Sequence, residues 1–175
     1  MKKFLAGILV TLIGLVIGAY AFISFGCMPA NADSRPPMIE RWMAHTSLRA
    51  SINREAPKGA VPVALTDANL TAGVRLYAAN CAVCHGASDA KASNIAMGLY
   101  QHAPQLADDG VEDDPEGVIY WKVKHGIRLT GMPAFSPTLT DDQIWQTVLF
   151  LKHMDSLPPA VAKVWKAVPS VKTAL

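Results

Sequence analysis

Cys81-Ala82-Val83-Cys84-His85 places two thiols three residues apart and an imidazole directly behind the second. Each thiol can form a thioether to one vinyl group on a porphyrin edge, and the histidine can swing its ring beneath the iron. Cys-x-x-Cys-His is the attachment box of a c-type haem. Two plainer uses of such residues need company that the chain lacks. A redox dithiol of the thioredoxin kind sits in a βαβ pattern, and a zinc site draws on a second pair of ligands such as another Cys-x-x-Cys or a His-x-His cluster. Neither is present, so the box predicts one covalent haem c per chain.

An iron held by one imidazole needs a second ligand unless its task is to bind a small molecule. Gly131-Met132-Pro133-Ala134-Phe135 lies downstream, with Met132 47 residues after His85. Glycine and proline hold Met132 in a stiff turn, whereas a methionine with only a packing role more often sits on the apolar face of a helix. A thioether opposite an imidazole raises the reduction potential, which suits an electron carrier. Met132 is therefore the expected second ligand. Met97, His102, His125 and Met154 are rivals, of which His125, just before Gly126, has a simpler use at a helix end.

These residues need rigid elements to position them, and the pattern around them is helical throughout. Thr66 or Asp67 can cap a helix carrying Leu70, Val74 and Tyr77 that ends at Asn80, immediately before the first haem cysteine. Asp114-Pro115-Glu116 reads as N-cap, first-turn proline and first-turn acid of a second helix, through Ile119 and Val123, which Gly126 closes. Thr140-x-x-Gln143 is a capping box ahead of Ile144, Val148 and Leu151, with Pro158 and Pro159 beyond the helix end. Val161, Val164, Trp165 and Val168 recur at helical intervals in the tail. No strand pattern and no repeat appears, so an all-α domain is expected.

The rest of the chain concerns location. Phe4 to Phe25 is an uncharged run of 22 residues after Lys2 and Lys3. As a helix it reaches about 33 Å against a hydrocarbon core of about 30 Å. The lysines favour a cytoplasmic amino terminus and place the remainder of the chain on the periplasmic side of a bacterial membrane, the side on which c-type haem is attached. Ala30-Asn31-Ala32 also fits a signal-peptidase site, though the apolar run exceeds the usual secretory core. Cys27 after Gly26 leaves a lipoprotein reading open, with Ser24 and Phe25 poor residues ahead of it. Removing residues 1–32 takes away two lysines and leaves fourteen basic against fourteen acidic residues, so no nucleic-acid footprint is expected.

The expected divisions are an anchor or long signal segment at 4–25, a linker at 26–66, a haem domain at 67–156 and a tail at 157–175. The linker is expected to hold one helix over Met38–Glu55, with Met38, Trp42 and Ile52 to one side, and to pack on the domain with its charged face in solvent. Six acids between Asp108 and Glu116 read equally well as a docking patch for a basic partner and as a solvated loop with acids at a helix start.

A helix leading into Cys81-x-x-Cys84-His85, a loop with Pro104-Gln105-Leu106, and Gly131-Met132-Pro133 ahead of a last helix resemble the class I cytochrome c family in its short-loop bacterial single-haem form. The resemblance spans about Asn69 to Asp155. It implies a class I cytochrome c-like helical domain around one covalent haem, with its first and last helices crossing, here preceded by a transmembrane helix. By position it implies that the Pro104 carbonyl accepts a hydrogen bond from the other ring nitrogen of His85. The function expected is a membrane-tethered periplasmic electron carrier with His85 and Met132 on the iron, serving redox partner proteins in or on the membrane. A haem enzyme or gas sensor with an open iron position, and a haem subunit of a larger respiratory or dehydrogenase complex, are the alternatives. The leader, the linker helix and the tail depart from the family pattern.

Overall fold

The computed structural model describes residues 1–170, among which nine helices and no strand occur. Two units are distinguished, Met1–Ser34 and the chain from Arg35 onward. The first is essentially α1 (Lys2–Ser24), a 23-residue helix in which an 18-residue stretch reaches a mean hydropathy of 2.4, with none of its apolar side chains buried by the protein. Length and composition suffice to cross a membrane, and the same properties describe a signal sequence.

The second unit contains α2 (Met38–Glu55), α3 (Asp67–Asn80), α4 (Ala82–His85), α5 (Asn94–Met97), α6 (Leu106–Asp109), α7 (Glu116–His125), α8 (Asp141–Lys152) and α9 (Pro159–Lys166). Its frame is the packing of α3 against α8, with α7 on α8 and α9 on α3. Local chemistry starts both frame helices. Thr66 Oγ1 accepts from the Asn69 amide at 3.2 Å, and Thr140 and Gln143 form a reciprocal capping box. Where the frame helices meet, α3 carries Gly73. A β-carbon there would lie 2.1 Å from the Gln146 carbonyl oxygen and 2.8 Å from Phe150 Cβ, so only glycine allows this approach. Leu70, Val74 and Tyr77 fill the near face of α3. Helix α8 is buried from Ile144 to Leu151 apart from Gln146, because α3 covers one side and α7 another, where Tyr120 stacks on Trp145 at 4.2 Å.

Two local expectations change. Helix α7 is capped by Pro115 rather than Asp114, and it starts at Glu116. The Asp114 carboxylate instead pairs with Lys122 at 2.7 Å. Helix α2 matches its expected span, but Met38 and Trp42 do not share a buried face with Ile52: they are 86% and 63% exposed. The carboxyl end of α2 is held on the domain. There Ile52 is buried, Glu55 Oε2 accepts from Trp121 Nε1 at 3.2 Å, and the Pro57 carbonyl lies so close over Gly117 that a β-carbon on that glycine would touch it.

Unfolding of the haem-loaded protein in guanidinium ranks the crossing against the cap. Gly73→Ala forces the crossing open and is expected to cost about 2–3 kcal/mol. Thr140→Ala removes one cap and is expected to cost about 1 kcal/mol. Equal and negligible losses would show that the crossing does not set the fold.

Candidate functional site

Helix α3 ends at Cys81, whose amide still donates to the Tyr77 carbonyl, and the chain turns directly into the single turn α4. The amides of Cys84 and His85 both donate to the Cys81 carbonyl, which places the two thiols and the imidazole on one tight turn. Cys81 and Cys84 are half-buried and form no disulfide with one another. Burial, together with the neighbouring Cys84, pushes the Cys81 thiol up to about 12, so it stays protonated at neutral pH. Gly86 closes the turn at φ +76°, a conformation that favours glycine.

His85 is held from the side. Its Nδ1 lies 2.9 Å from the Pro104 carbonyl oxygen. An oxygen of this kind only accepts, so Nδ1 carries the proton and Nε2 keeps its lone pair. Burial, partly opposed by that hydrogen bond, lowers the histidine's affinity for a second proton. Three further side chains hold the turn. Tyr77, fully buried, donates its hydroxyl towards the carbonyls of His85 (3.1 Å) and Gly86 (2.9 Å), and burial raises its pKa so that the proton stays. Gln105 Nε2 reaches the Cys84 carbonyl at 3.1 Å, and Ser93 Oγ donates to the Val83 carbonyl while capping α5. None of these three polar roles was evident from motif spacing. A tyrosine at an interior helical position was the available signal, because a buried phenol needs a partner for its hydroxyl.

Met132 sits in a loop fastened to the end of α7. The Ile127 amide donates to the Met132 carbonyl at 3.1 Å, the Met132 amide to Thr130 Oγ1 at 3.1 Å, and the Phe135 amide to the Val123 carbonyl at 3.3 Å. The loop passes so near Gly126 that a β-carbon there would lie 2.5–2.7 Å from the backbone of Met132, Pro133 and Ala134. Met132 is half-buried against the core. Among the rivals, Met154 belongs to the core, Met97 is 56% exposed on α5, and His102 and His125 are exposed. Of the six acids, Asp109 accepts from the Gln105 amide, Glu112 from the Val111 amide, and Asp114 pairs with Lys122. Lys152 donates to the carbonyls of Glu112 and Asp114. Internal bonds thus account for half of the acidic cluster.

The donor set fits a porphyrin better than a bare ion. Two unlinked thiols beside an imidazole with a free Nε2 are what covalent attachment and axial ligation use, and among the described residues no three His, Cys, Asp or Glu side chains converge as a metal site requires. A family model described as Cytochrome C oxidase, cbb3-type, subunit III matches residues 68–151. No curated protein and no solved structure matches the chain. The matched span includes the cysteine box, Pro104 and Met132 and leaves out α1, α2 and α9. Residues 68–151 are therefore a class I c-type cytochrome domain, a helical electron-transfer module that carries covalently bound haem c.

Proposed function

We propose that the protein is a membrane-tethered electron carrier whose haem domain lies on the periplasmic side. The observation that carries this reading is the fixed imidazole, with Nδ1 committed to Pro104 and Nε2 left for iron. Cys81 and Cys84 hold the porphyrin edge, His85 supplies the near ligand, and Met132 supplies a thioether from its fastened loop. When bound, haem c supplies an iron that accepts and releases one electron. The chain's own part is to keep both ligands in place in either oxidation state, so that little rearranges when charge moves. Helix α1 is the tether in this reading, with Lys2 and Lys3 on the cytoplasmic side. The description of the matching family favours one further reading, in which the domain serves as a haem-bearing subunit of an oxidase complex. In that case a partner oxidase would co-purify in fixed stoichiometry from detergent-solubilised membranes.

Three outcomes are expected. Acid-acetone extraction leaves the haem on the protein, and intact mass shows one haem per chain, because both thiols are used. Replacing Met132 by Ala abolishes the weak red sulfur-to-iron absorption band, lowers the reduction potential and lets the ferrous protein take up carbon monoxide. Met97→Ala, at an exposed position, leaves all three properties in place. A wild-type protein that is high-spin and binds carbon monoxide readily would overturn the carrier reading in favour of an open-site enzyme or sensor.

The tether is checked by fractionation. Retained in the mature chain, α1 keeps the protein in the membrane pellet through alkaline and high-salt washes. A mature amino terminus at Asp33 would show a released periplasmic protein instead.

A further inference from the structure

Helix α9 lies outside the matched family span, yet it packs on the residue that holds the cysteine box. Trp165 is buried, and its ring meets Tyr77 edge-on at 5.4 Å and 84° and Phe150 at 5.0 Å and 66°. Tyr77 and Phe150 close the triangle at 5.3 Å and 67°. The three rings come from α9, α3 and α8, so Trp165 forms one wall of the pocket that aims the Tyr77 hydroxyl at the His85 and Gly86 carbonyls. Val161, one turn earlier, is fully buried and fixes the helix on the same side.

The segment makes a second contact at the other end of the haem loop. Ser170 Oγ donates to Asp89 Oδ2 at 2.6 Å. Asp89 belongs to the turn that succeeds the cysteine box, where the Ala90 amide donates to the Ala87 carbonyl and Ala90 itself has φ +51°. An alanine holds that left-handed conformation only where its surroundings impose it. One short helix and the four residues after it therefore touch the haem loop on both flanks, through Tyr77 before His85 and through Asp89 after it.

We infer that residues 159–170 act as a clamp on the haem-attachment loop, with Trp165 and Ser170 as positioning residues for His85, the iron ligand in the function proposed above. A tyrosine hydroxyl that can slide or tilt lets the two carbonyls move, and His85 moves with its own carbonyl. Clamping both flanks restricts the rotation of the ring that Pro104 alone leaves about the Nδ1–oxygen line.

The test uses the full-length, haem-loaded ferric protein in detergent and compares wild type with Trp165→Leu, which keeps an apolar side chain, and Ser170→Ala, which removes one surface hydrogen bond. Two readouts are followed by NMR: the ring-proton resonances of His85, and hydrogen exchange of the Gly86 and Ala90 amides against the Val148 and Leu149 amides of α8. Both variants are expected to shift the His85 ring resonances and to speed Gly86 and Ala90 exchange about tenfold, with α8 still protected. Unchanged ring resonances and unchanged loop exchange in Ser170→Ala and Trp165→Leu would overturn the clamp. Should Trp165→Leu also loosen α8, the result for Ser170→Ala decides. A wild-type protein whose His85 ring protons carry no iron-induced shift would remove His85 as ligand, and the amide comparison would still settle the clamp.

Discussion

The contact on which the rest of the molecule depends is the approach of α3 to α8 at Gly73. With no side chain at that point, two helix backbones come close enough for the α8 carbonyl of Gln146 to lie over the glycine. Helix α3, held by this approach, ends with Cys81 as its cap, so the cysteine box starts from the end of a fixed helix. The approach also brings Phe150 against Tyr77 one turn further on. A turn of five residues carrying the cysteine box has too few internal bonds to hold itself. Its geometry is inherited from two long helices whose separation is set by the smallest side chain available.

Polar groups then distribute that rigidity. Buried donors and acceptors are costly when unpaired, so a side chain that satisfies a loop carbonyl also fixes the loop. Around the cysteine box the donors come from separate parts of the domain: Tyr77 from α3, Ser93 from the cap of α5, and Gln105 from the start of α6. The methionine loop is arranged differently. Its bonds run almost wholly to its own residues and to the end of α7, with Gly126 as the point of passage. One side of the site is thus supported by the whole domain, the other by a single helix end.

Much of this was legible in the sequence. The cysteine box, the helix before it, the Thr140 cap and the terminal helix all come from short-range rules about spacing, capping and periodicity, and the structure has them where those rules put them. What could not be read depended on groups far apart in the chain. Asp114 looks like a helix cap until Lys122 is near enough to take its charge. Met38 and Trp42 look like part of an apolar face, yet the described residues leave both exposed. The hydroxyl of Tyr77 and the amide of Gln105 gain their roles only when the loop carbonyls are placed beside them. Membership of a helix is a local property, whereas the partner of a polar atom is a tertiary one.

The bond between His85 and Pro104 has a consequence for how the site couples to its surroundings. A backbone carbonyl has no acidity to offer and no appetite for a proton near neutral pH, so the hydrogen on Nδ1 is trapped between two groups that do not exchange it. Were His85 to hold iron on Nε2 as proposed, the imidazole would have no position left to titrate near neutral pH. An electron can then arrive at the haem without drawing a proton to this ligand, and leave without releasing one. In a carrier of the proposed kind, this ligand would therefore add no proton to the electron's movement, and acidity would have no purchase on that part of its driving force.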